Sequence, residues 1–121
     1  MAAMPEASPT DRHVLAVGDI VLDVALRSLT RGGRAWRLTP KECRLLEMLL
    51  RHNGQVLTRR FLMQHVWQTD FIADTRTLEV HIHWLRQKLS PERAGPALIH
   101  TIRGVGYMFR WVEPEPATAP T

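Results

Sequence analysis

Residues 74–89 read Asp-Thr-Arg-Thr-Leu-Glu-Val-His-Ile-His-Trp-Leu-Arg-Gln-Lys-Leu, and residues 101–107 read Thr-Ile-Arg-Gly-Val-Gly-Tyr. In the first segment Leu78, Ile82, Leu85 and Leu89 fall within about 60° of one another at the ~100° per residue of an α-helix. That stripe must face a core, and the opposite side presents Arg76, Thr77, Val80, His83, Trp84 and Gln87. In the second segment Gly104 and Gly106 let the backbone turn sharply between two β-prone runs, with Arg103 at the bend. Any fold for this chain has to bury one side of that helix and leave the hairpin tip projecting beside it.

The rest of the chain supplies the other layers. Val14–Val17 and Ile20–Val24 are short β signals, and Arg31-Gly32-Gly33-Arg34 is a tight turn before Ala35–Leu38. They predict a small antiparallel sheet of three or four strands. Thr39-Pro40-Lys41-Glu42 is a helix start: Thr39 can cap, Pro40 suits the first helical position and Glu42 completes a capping box. Cys43, Leu46, Leu49 and Leu50 recur at helical spacing, and Asn53-Gly54 closes that helix. Thr58 caps a second helix carrying Phe61, Leu62, Met63 and Val66. Asp74 is the expected cap of the third, which Ser90-Pro91 stops near Leu89. Two strands, 98–103 and 107–112, close the order. The expectation is an α+β fold: an N-terminal antiparallel β-sheet, three helices and a C-terminal β-hairpin. Residues 1–12 and 113–121, rich in Ala, Pro and Thr, read as a flexible arm and tail around a 13–112 domain.

Charge points to a polyanionic partner. The net charge is +4. Setting aside the tail acids Glu6, Asp11, Glu113 and Glu115 leaves all sixteen basic side chains against eight acidic ones, a surplus that suits nucleic acid. One cysteine, Cys43, rules out an internal disulfide and fits a reducing compartment. Its helical phase puts it in the core rather than at a redox site. The N-terminus lacks the pattern of a signal peptide. No apolar run approaches the ~20 residues that span a bilayer. The cytoplasm is the expected address.

The third helix has a face that DNA could use. Arginine pairs with guanine O6 and N7, and valine or tryptophan can touch a thymine methyl. Arg86 and Lys88 flank the apolar stripe and are expected to meet phosphates. Arg103, projected by the glycine turn, suits a narrow minor groove, where negative potential concentrates. The alternative for the helix taken singly is a solvated amphipathic surface; the hairpin beside it favours DNA.

In order and spacing these segments resemble the DNA-binding output domain of the OmpR/PhoB family of response regulators, a winged helix-turn-helix. The resemblance covers roughly residues 14–111. It is carried by Leu38-Thr39-Pro40-Lys41-Glu42 with Leu45-Leu46, Leu57-Thr58-Arg59, His65-Val66-Trp67, Thr77-Leu78-Glu79-Val80-His81-Ile82, Leu85-Arg86 with Lys88-Leu89, and Thr101–Tyr107. It implies a third helix in the major groove of double-stranded DNA and a hairpin wing in an adjacent minor groove. Arg76, Thr77, Val80, His83, Trp84, Arg86, Thr101 and Arg103 match DNA-facing positions. The segment around Trp67, Asp70, Phe71 and Ile72 matches a loop that touches RNA polymerase in activating members. The alternative for Phe71 and Ile72 is packing over the helix junction. The resemblance further implies a monomer that pairs in tandem on directly repeated half-sites.

Three departures from the family pattern matter. Trp84, and often His83, stand where many members carry a basic residue, so the preferred DNA sequence differs; Trp84 could instead lean onto the wing. Cys43 replaces an aromatic residue common in the first helix. Family members also carry a phosphorylated receiver domain ahead of this module. These 121 residues leave it no room, so the chain is either an output domain beginning in the linker or a receiver-less regulator. No catalytic grouping, phosphate loop or zinc spacing is present in the sequence, and His81 and His83, two apart on a helix, diverge. Neither a cofactor nor enzymatic activity is expected. The competing class is a winged helix that contacts proteins and reads no DNA.

Overall fold

The computed structural model describes residues 13–69, 76–89 and 98–111. Strands β1 (Val14–Val17), β2 (Ile20–Asp23), β3 (Ser28–Arg31) and β4 (Arg34–Arg37) form a four-stranded antiparallel meander. Register runs straight across it, with Ala16 opposite Val21, Val21 opposite Thr30 and Thr30 opposite Ala35. Gly32 and Gly33, with φ of +59° and +80°, make the tight β3–β4 turn. The face bearing Ile20, Leu22 and Leu29 is buried.

That buried face meets the helices. Helix α1 (Pro40–Arg51) opens on the expected box: Glu42 N–H donates to Thr39 Oγ1 at 3.2 Å and Thr39 N–H to Glu42 Oε1 at 2.9 Å. The sequence stripe predicts a one-sided α1, yet Leu45 and Met48 are buried along with Cys43, Leu46, Leu49 and Leu50. The cause is its central place, touching β1, α2, α3 and β7 at once. Helix α2 (Arg59–Val66) is capped by Thr58 Oγ1, which accepts from Phe61 N–H at 3.0 Å. Helix α3 (Arg76–Leu89) buries Leu78, Ile82, Leu85 and Leu89, the stripe read from the sequence. Its expected cap at Asp74 and its stop at Ser90-Pro91 lie outside the described residues, as do both expected tails.

The C-terminal hairpin, β6 (Ile99–Ile102) and β7 (Gly106–Phe109), carries a third strand that sequence patterning missed. Strand β5 (Val56–Thr58) pairs with β7, so the sheet order is β5-β7-β6. Three residues are too few for a period-2 signal, and Thr58 doubles as the α2 cap. Gly54, expected only to end α1, takes φ +88° and donates its N–H to Phe109 O at 2.8 Å, beside the start of this strand. The architecture is the expected winged helix: meander, three helices, wing.

Candidate nucleic-acid interface

The α3 residues singled out from sequence emerge on one side. Arg76, Thr77, His83 and Gln87 are exposed, and Val80 and Trp84 remain 37% and 41% exposed despite their apolar character. Arg76 also makes interactions of its own within the fold. The Trp84 ring lies 5.0 Å from that of His81, tilted 55°. His81 in turn sits edge-on to Trp67 at 5.1 Å and donates from Nδ1 to Thr77 O at 2.8 Å. An aromatic row therefore links the end of α2 to the reading face. Trp67 is half-buried in it. Asp70, Phe71 and Ile72 lie outside the described residues.

At the wing, Val105 N–H donates to Ile102 O at 2.9 Å, closing a turn around Arg103 and Gly104. Gly104 has φ +76° at the third position of that turn, the conformation a type II turn reserves for glycine. Arg103 and Val105 are exposed at the tip, and Arg103 has no side-chain partner among the described residues. Gly106 has a different task from the one its sequence position suggests. It starts β7, and a Cβ there would lie 1.9 Å from Leu57 O. It permits close approach of β5, not the bend itself.

Much of the basic surplus is committed inside the protein. Lys41 Nζ donates to Val66 O at 2.9 Å, Arg44 Nε to His65 O at 3.0 Å and Arg31 Nη1 to Leu89 O. Each places a cation against the carbonyl end of a helix, where orphan acceptors and the negative end of the dipole favour it. Arg44 and Arg51 also pair with Glu47 at 3.2 and 2.9 Å. Lys88, expected to meet phosphates, instead pairs with the buried Glu42 at 2.8 Å. It reaches across because that carboxylate would otherwise be an uncompensated buried charge. Burial pushes the Glu42 carboxyl up, but the Lys88 bond and charge and the Thr39 donors outweigh it and hold the carboxyl below its ordinary value.

Arg86, expected to meet phosphates, is also engaged within the protein. Its Nε and Nη2 donate to Ile99 O at 3.1 and 2.9 Å, and Nη2 also to Thr101 Oγ1 at 2.7 Å. Thr101 itself is exposed. Two residues to which the sequence reading gave no role at the site now matter: Tyr107, buried under the Arg59 and Arg86 guanidinium groups, and Arg31, which joins the first sheet to the end of α3. Both lie in quoted motifs, but their partners are distant in sequence and no local pattern points to them. Cys43 is buried, its thiol pushed up by that burial and by the nearby charge of Glu47, as suits a core residue. Among the described residues no cluster of three or more His, Cys, Asp or Glu could hold a metal ion, and no helix is long and apolar enough to cross a membrane.

A family described as "Transcriptional regulatory protein, C terminal" matches residues 33–109. The response regulator MprA of Mycobacterium sp. (strain KMS) is 44% identical over 111 residues, which cover 91% of this chain and 47% of that protein. The chain thus spans about half the length of the curated relatives it matches. Among solved structures, the DNA-binding domain of CpxR from E. coli superposes with a TM-score of 0.71 at 32% identity, covering 80% of this chain and 95% of that one. The Klebsiella pneumoniae RstA DNA-binding domain, solved in complex with RstA box, gives 0.70 at 28% identity, covering 80% and 96%.

Proposed function

Because the chain belongs to the family of C-terminal domains of transcriptional regulatory proteins, of OmpR/PhoB type, we propose that it reads specific double-stranded DNA, with α3 in the major groove and the β6–β7 wing in an adjacent minor groove. The observation that carries this reading is the pairing of an exposed α3 face (Arg76, Thr77, Val80, His83, Trp84, Gln87) with a glycine-held tip that leaves Arg103 without a partner among the described residues. Val80 and Trp84 offer apolar surface to thymine methyl groups, and Gln87 matches adenine N6 and N7. Arg76 serves guanine or phosphate. Thr77 and Thr101 offer hydroxyls to the backbone, contacts that set register. Arg103 suits a narrow, A·T-rich minor groove. The role is binding rather than catalysis, in the cytoplasm, with two copies in tandem on directly repeated half-sites. The segment around Trp67, Asp70, Phe71 and Ile72 is the surface proposed to contact RNA polymerase.

Selection of the purified protein on a random duplex library, followed by binding across a salt series, tests this. The expected outcome is an enriched motif repeated in tandem. With Lys88 and Arg86 engaged internally, about four phosphates are neutralised per copy, for a log–log salt slope near −4. Flat, weak binding without enrichment would instead identify a protein-contact module. Arg103→Ala is expected to weaken binding about tenfold and to erase base preference only at the wing's flank of the motif. Unchanged affinity in that variant would remove the wing from DNA reading.

A further inference from the structure

Arg86 grips the wing from α3. Among the described residues, all the partners of its guanidinium, Ile99 O, Thr101 Oγ1 and the Tyr107 ring 6.0 Å away, lie on β6 and β7. Those are the two strands whose turn carries Arg103. Thr101 and Tyr107 stand opposite each other in register, so one side chain spans both strands. On the other flank Arg59 lies 5.4 Å over the same Tyr107 ring, and its backbone N–H donates to Val105 O at 3.1 Å. The hairpin is therefore held between the reading helix and the start of α2. A planar guanidinium can serve two acceptors at once in a fixed fork, which a lysine ammonium cannot reproduce. With Nε and Nη2 already turned toward protein oxygens, Arg86 is oriented along the protein rather than outward.

We propose that Arg86 is a positioning residue for DNA recognition: it fixes the wing against α3, so that Arg103 meets the minor groove at a set distance from the bases read by Val80, Trp84 and Gln87. The assignment rests on the DNA-reading function above. It separates two roles that a single basic position could play. A phosphate contact depends on charge, and lysine preserves it. A strut depends on forked geometry, and lysine loses it.

The experiment compares wild type, Arg86→Lys, Arg103→Ala and the double variant on the selected duplex across salt, with base preference recorded at each motif position. Amide hydrogen exchange of each free protein monitors the wing. For Arg86→Lys the strut gives about tenfold weaker binding, an unchanged salt slope and blurred preference at the wing's positions. Exchange becomes faster at β6 and β7 while α1 to α3 stay protected, and adding Arg86→Lys to Arg103→Ala costs little more. Arg86→Gln serves as the charge control. If Arg86→Lys binds normally while Arg86→Gln lowers the salt slope by about one, Arg86 is a phosphate contact and the strut is overturned. Fully additive losses in the double variant overturn it too, leaving the wing's own role intact. An Arg103→Ala variant that binds like wild type overturns the wing reading itself and this assignment with it.

Discussion

Gly106→Ala is expected to destabilise the protein by about 3 kcal/mol or more and to abolish specific binding. The added methyl would meet Leu57 O at 1.9 Å, with Leu57 C and Thr58 Cα each 2.9 Å away. These are backbone atoms, so no side chain can swing aside. Either β5 separates from β7 or the hairpin shifts as a body, and both outcomes disturb the path from Thr58 into α2 and the grip on Tyr107. Gly104→Ala makes the informative contrast. Nothing lies within 4 Å of its Cβ position, so only the φ of +76° is strained, for about 1–2 kcal/mol. Urea denaturation of the two variants side by side measures the difference. A Gly106→Ala protein within 1 kcal/mol of wild type would mean that β5 is not tightly tied to the wing.

The second large effect is expected at Glu42. Its side chain is nearly fully buried, closes the α1 capping box and takes the Lys88 ammonium at 2.8 Å. Glu42→Ala removes the box and strands Lys88 against the core, for about 2–4 kcal/mol, the partial exposure of Lys88 keeping the loss below that of a fully buried pair. The same group sets an acid limb. Its folded-state carboxyl lies below the ordinary value of 4.5, so its contribution is fully present above about pH 4.5 and drains away as pH falls through the folded-state value. Glu42→Gln keeps an acceptor for Thr39 N–H and loses the titration, so its stability should fall less steeply on acidification than wild type. Parallel curves of unfolding free energy against pH for the two proteins would place the acid sensitivity on another group.

Much of this fold was legible because the signals are local. The apolar period of Leu78, Ile82, Leu85 and Leu89, the Thr39–Glu42 box, the Thr58 cap and the Gly32-Gly33 turn each depend on a few neighbouring residues, and all are present in the structure. The exposed face of α3 follows from the same period. The failures have a common origin too. Strand β5 exists because β7 lies beside it, and α1 is buried nearly all round because four elements surround it. Gly106 looked like part of the bend, but the approach of Leu57, from far earlier in the chain, sets its requirement.

The basic side chains divide the two kinds of information most sharply. From sequence alone Arg86 and Lys88 are cations flanking a helical stripe, equivalent and suited to phosphates. In the folded protein Lys88 meets Glu42, 46 positions away, Arg86 meets strand β6, and Arg31 caps α3 from 58 positions away. The sequence by itself determined which faces are apolar, where helices start and where the chain can turn, because hydrophobic period, capping and φ preference act over a few residues. Only the tertiary structure decided which charges remain available to DNA, because a flexible cation takes whatever acceptor the fold brings within about 3 Å, and that acceptor is a neighbour in space, not in sequence.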